Sequence, residues 1–137
     1  MEFNTALYNY LSGYAGIAAL VSTRIYPDTL PQNPTYPAIV YEQSGEEEVE
    51  TLHTPTQNLI APIYQFDLMG SSRASADAVA KQLRLAFKNY SGTMGGVGGV
   101  EVSGVDKLSR IGFAEKDSDG KIINYRTTMD FQIWYQE

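Results

Sequence analysis

The residues that invite a chemical reading are few. A glycine-rich run, Gly92-Thr93-Met94-Gly95-Gly96-Val97-Gly98-Gly99, has the composition of a phosphate-cradling loop. That chemistry needs Gly-Lys-Ser/Thr opening a helix, so that backbone N–H groups and the lysine surround the phosphates. Here the run leads into strand-like Val100-Glu101-Val102, and the next lysine is Lys107. A flexible loop is the expectation. Asp117-Ser118-Asp119-Gly120 resembles a fragment of a calcium loop. A calcium loop needs further ligands and a closing glutamate between two helices, whereas Lys121, Ile122 and Ile123 continue in strand pattern. A hairpin turn is expected, with Gly120 taking positive φ.

Glu46, Glu47, Glu48 and Glu50 form a carboxylate cluster that could serve acid–base work. Nothing apolar in the sequence encloses it to raise a pKa, so it is expected to be solvated. His53 is the single histidine and has no second ligand at metal spacing. No serine carries the glycine pattern of a nucleophile elbow. Asn89-Tyr90-Ser91 matches a glycosylation sequon, but no secretory signal gives it an occasion to be used. The expectation is no catalytic residue, no metal and no cofactor.

Composition narrows the field further. The 137 residues suit one domain, read as 1–137, and can bury a core without a metal or disulfide. There is no cysteine, which excludes disulfides, thiolate metal sites and a cysteine nucleophile. Sixteen Asp and Glu against ten Lys and Arg give a net charge of −6. Such a field repels nucleic-acid phosphates. No apolar run is long enough to span a membrane and no signal segment is evident, so a soluble protein made in the cytoplasm is expected.

The elements that would position these residues follow from periodicity. Ile122 to Tyr135 alternates cleanly: Tyr125, Thr127, Met129, Phe131, Ile133 and Tyr135 on one face, Arg126, Thr128, Asp130, Gln132 and Trp134 on the other. It is the strand around which the fold is organised. Residues 2–11 read as a short helix with Phe3, Leu7, Tyr10 and Leu11 in one stripe, and a second helical piece holds Ile17, Leu20 and Val21. Four prolines within 27–37 make a stiff extended loop. Strands are expected over 38–44 and 59–69, although Pro62 demands an edge, a bulge or a later start. Residues 73–90 form the best helix, with Ala76, Val79, Ala80, Leu83, Ala86, Phe87 and Tyr90 on its apolar face and Leu85 off it. Residues 100–115 supply one or two further strands, broken near Gly104. The expected class is α+β: an antiparallel or mixed sheet with helices packed on one face, in the order α-β-β-α-β-β.

The ordered set of segments is recognisable. An N-terminal helix precedes Ile17-Ala18-Ala19-Leu20-Val21 and Arg24-Ile25-Tyr26-Pro27; then come Leu30-Pro31-Gln32 and Pro37-Ala38-Ile39-Val40-Tyr41-Glu42. Tyr64-Gln65-Phe66-Asp67-Leu68 runs into an alanine-rich helix, and Phe131-Gln132-Ile133-Trp134 closes the chain. This set resembles the tail completion proteins of tailed bacteriophages, which act as tail terminators or head–tail joining proteins. The resemblance implies a virion protein assembled in the host bacterial cytoplasm, forming a ring, commonly a hexamer, at the head-proximal end of the tail. Its partners would be further copies of itself, the tail tube protein and the head connector or neck proteins, with no membrane. Genomic DNA would pass through the lumen without specific binding. On this reading the 27–37 loop, with Pro31 and Pro34, and an acidic 46–53 loop, with Glu46, Glu47, Glu48 and Glu50, contact neighbours. Leu85 and Trp134, off the core faces, would be interface residues. The alternatives are a head-side connector or stopper of the neck, and a small ligand-binding α+β domain.

Overall fold

The computed structural model describes residues 1–50 and 58–137; of residues 47–50 and 58 it describes the backbone. The chain runs α1 (Phe3–Gly13), α2 (Ala15–Val21), β1 (Ile25–Pro27), β2 (Ala38–Glu50), β3 (Asn58–Gly70), α3 (Arg73–Phe87), β4 (Gly92–Met94), β5 (Val100–Lys116) and β6 (Ile122–Gln136). The strands form one sheet in the order β1-β2-β3-β6-β5-β4. All neighbours are antiparallel except β1 and β2, which are parallel. The α+β class holds, and the expected order gains a helix and two short strands.

The alternation of β6 has the expected physical result. Thr127, Met129, Phe131 and Ile133 are buried, and the last three join Phe66, Leu68, Tyr64, Ile39 and Tyr41 in the core. Helices α1, α2 and α3 add Leu7, Leu11, Ile17, Leu83 and Phe87 to that same cluster, so all three lie on one face. Ser72 caps α3, its Oγ accepting from the Ser75 N–H at 3.1 Å. The helix ends at Phe87 rather than Tyr90, because Asn89 takes φ 53, a left-handed conformation that Asn tolerates. Gly92 therefore opens β4 and does not cap α3.

Three expectations are corrected. Glu46, Glu47, Glu48 and Glu50 lie in β2, which runs past Ser44 to Glu50 by pairing with β3 across a bulge between Gln43 and Gly45. They are strand residues and not a loop; residues 51–53, including His53, lie outside the described residues. β3 passes through Pro62 instead of starting after it. The β3–β6 pairing skips from Ile60↔Tyr135 to Ile63↔Gln132, and the Gln132 amide donates to the Ala61 carbonyl at 3.3 Å inside that gap. A proline without an N–H is accommodated there by a side chain. The glycine run is only partly a loop: Gly92–Met94 pairs with Val100–Val102, Met94 is fully buried, and residues 95–99 form the turn between the two strands. Gly95, at φ 92, lies where a Cβ would sit 2.7 Å from the Ala6 backbone, so only glycine fits. The Asp117–Gly120 turn forms as expected, with Gly120 at φ 81 and Asp117 Oδ1 accepting from Asp119 and Lys121 N–H groups, each at 2.9 Å.

Phe131 is 2% exposed at the centre of this core. Phe131→Ala lowers the free energy of unfolding in urea by about 3–5 kcal/mol, and Phe131→Asp yields no soluble, cooperatively folding protein. The same urea titration checks both.

Candidate assembly surfaces

Each outer strand of the sheet is covered only in part. Among the described residues β1 pairs with β2 at Ile39, Val40 and Tyr41 alone, and β4 pairs with β5 at Val100, Glu101 and Val102 alone. Residues 42–50 of β2 and 103–116 of β5 therefore present unpaired backbone donors and acceptors on opposite sides of the sheet. Long open edges are templates for strand addition. The edge of β5 also carries exposed apolar side chains: Leu108 is 49%, Ile111 62% and Phe113 40% exposed. Sequence patterning missed this edge, since register shifts at Val102/Gly104 and Lys107/Ser109 break the period-2 signal.

The residues singled out from sequence do not converge on one place. Pro31 is exposed and Pro34 half-buried in the connection between β1 and β2. Glu46 is exposed on the β2 edge. Leu85 is exposed on α3, and Trp134 is half-buried on β6 opposite Gly104.

A cleft of about 450 Å³ opens between α1 and the point where β1 stops covering β2. Asn4, Tyr8, Asp28, Tyr41, Glu42 and Tyr64 are among its lining residues. The Tyr64 hydroxyl donates to Asn4 Oδ1, while the buried Tyr41 makes no side-chain hydrogen bond to any described residue. Burial, then the Tyr8 and Asp28 charges, push the Tyr41 phenol up to about 12. Burial likewise raises Tyr64 above the ordinary phenol range. Phenols held neutral this way are poor bases, and among the described residues no histidine or lysine lines the cleft. Among the described residues no group of three His, Asp or Glu side chains could hold a metal ion. The cleft can receive a cationic or hydrogen-bonding group; it holds no nucleophile–base pair.

The sheet face away from the helices is polar and cross-linked. Arg126 Nη2 meets Glu115 Oε2 at 2.9 Å on β5, and its Nη1 lies 3.8 Å from Asp67 Oδ2 on β3. Thr128 donates to Asp67 at 2.8 Å and Ser109 to Asp130 at 2.9 Å. The face of β6 that carries Arg126, Thr128 and Asp130 thus ties β3, β6 and β5 together, and Gln132 on it is buried.

The described residues thus form an antiparallel-rich sheet with three helices on one face and two partly open edges. The model of the family described as tail completion protein gp17 matches residues 5–136. The chain belongs to this family. Among solved structures, a chain from the virion of a native gene transfer agent particle superposes with a TM-score of 0.65 at 17% identity. The match covers 96% of this chain and 92% of that one. At that identity the likeness establishes the fold. No curated protein matches. As a tail completion protein the chain is a structural component of a phage-type tail.

The tyrosines supply a pH test. Tyr10 and Tyr41 are both raised to about 12, Tyr10 mainly by burial and then by Tyr90 and Tyr14. Their folded values lie above the unfolded value near 10, so their contribution to stability is complete below about pH 10. It is lost as pH climbs toward 12. Phenolate absorbance at 295 nm should show these groups ionising together with a cooperative loss of structure above pH 10.

Proposed function

We propose that the protein closes into a ring, of six copies as its family resemblance implies, at the head-proximal end of the tail. There it ends polymerisation of the tail tube and offers the surface that docks to the head connector. The observation that carries this reading is the pair of open strand edges on opposite sides of one sheet. A subunit with two different sticky edges associates head to tail, and such contacts generate rings when the rotation closes. Membership of a tail completion family supports a place in the tail for such a ring. The net charge of −6 suits a lumen through which DNA slides without being held. The connection between β1 and β2, with exposed Pro31 and half-buried Pro34, contributes no residue to the core cluster, and it is assigned to contacts with neighbouring tail or neck proteins. Leu85 and Trp134, both partly exposed, are assigned to contacts in the assembled ring.

Phage assembly without this protein tests the reading by electron microscopy of the products. Overlong or unjoined tails beside DNA-filled heads are expected. Empty or leaking heads beside normal free tails would assign the protein to the head side of the neck instead.

A further inference from the structure

We infer that the open edge of β2 is covered by the open edge of β5 from a second copy of this chain, with the helices of both copies on the same side. This rests on the ring reading and names the edges that make it.

Three pairings of the two edges are conceivable: β2 with β2, β5 with β5, and β2 with β5. Charge separates them. Residues 42–50 contain Glu42, Glu46, Glu47, Glu48 and Glu50 and no Lys or Arg. A β2–β2 contact would align these carboxylates against their own copies, and like charges directly opposite are destabilising. Residues 103–116 carry Lys107, Arg110 and Lys116 against Asp106 and Glu115, and Glu115 is already neutralised by Arg126. A β5–β5 contact would leave both acidic edges open. Only the mixed pairing brings opposite charges together and leaves no edge uncovered once the ring closes.

The faces agree as well as the signs. Lys107 and Arg110 pair across to Phe131 and Met129, so their side chains share the helix face of the sheet. Arg110 meets Asp77 of α3 at 3.3 Å on that face. On β2, Glu46 is also on the helix face, lining a hollow with Phe3, Tyr64 and Tyr135. Asp28 and Glu42 line the acid–tyrosine cleft at the start of the same open edge. Among the described residues Lys107, Lys116, Asp28 and Glu42 form no ion pair. By register Lys107, opposite Phe131, and Glu46 share the helix face, whereas Lys116, opposite Ile122, and Glu42, opposite Gln65, share the other face; when the sheet continues from one copy to the next, each face therefore carries a β5 cation and a β2 carboxylate. Exposed Leu108, Ile111 and Phe113 lose solvent in the same contact.

The chain has no cysteine, which gives a clean background for cross-linking. Ser44→Cys is combined in turn with Ser103→Cys, Leu108→Cys and Lys116→Cys. Within one copy β2 and β5 are separated by two strands, about 14 Å at the usual strand spacing, too far for a disulfide. Mild oxidation should give at least one variant a covalent ladder of copies ending at the ring size. Rings visible by electron microscopy in which none of the three variants cross-links would overturn the edge assignment and leave the ring reading intact. Efficient dimers from Ser44→Cys alone would overturn it in favour of β2–β2 pairing. A chain that stays monomeric at high concentration and on purified tail tubes would overturn both readings.

A charge exchange supplies the second measurement. Lys107→Glu with Lys116→Glu should raise the concentration needed for association at low salt by about tenfold. Adding Glu42→Lys and Glu46→Lys to the same chain should restore it. All four positions are exposed, and circular dichroism confirms that the fold is kept. Association unchanged by the lysine substitutions, or not recovered by the exchange, argues against the pairing.

Discussion

The contact among three aromatic rings is what the rest of the structure depends on. Phe131 on β6 lies 4.9 Å from Phe87 on α3 and 5.7 Å from Phe66 on β3, and Phe66 lies 5.6 Å from Phe87. This triangle joins the central strand pair to the long helix, and the edge-on and tilted geometries are those that aromatic quadrupoles favour. Around it the N-terminal helix adds Phe3, stacked on Tyr135 at 4.3 Å, and Tyr10, whose hydroxyl donates to the Ala86 carbonyl. Ring burial on one side of the sheet fixes the register of β6. A slip by one residue would send the whole row to the opposite face.

That opposite face is held by a different kind of interaction. Arg126 bridges Asp67 on one neighbouring strand and Glu115 on the other, while Thr128 and Ser109 satisfy carboxylates beside it. Apolar packing on one side and paired charges on the other make a sheet that is well defined although no helix lies on its second face. Paired carboxylates and hydroxyls also leave that face compatible with water. Among the described residues the sheet ends in two edges that its own chain covers for only three residues each. Backbone groups left open at those margins are what strand addition by a neighbour would use.

Legibility from sequence followed the strength of the local signal. The strand 122–136, the helix beginning at Arg73 and the turn at Asp117–Gly120 were plain, because apolar periodicity and a glycine turn act over few residues. The acidic stretch misled. Glu46, Glu47, Glu48 and Glu50 have low strand propensity, yet they continue β2 because Leu59, Ile60 and Ala61 of β3 lie opposite as partners. The glycine run misled for a related reason. Small residues there allow close approach to Ala6, a contact from the far end of the chain that no local pattern announces. Pro62 was correctly marked as an irregularity, but the remedy, a glutamine amide from the adjacent strand, is a tertiary matter.

The sequence by itself determined the class of the protein. Alternation in β6, the alanine-faced helix and the ordered segments shared with tail completion proteins are all local or compositional facts. Tertiary structure decided the margins of the sheet. Which strands lie outermost, and how little of β2 and β5 their neighbours cover, depends on strand order and on the lengths of β1 and β4. Strand order is set by long-range pairing, and an unpaired backbone edge has no side-chain signature of its own. The assembly surface proposed above is made of groups that every residue carries, and only the fold says which of them are left open.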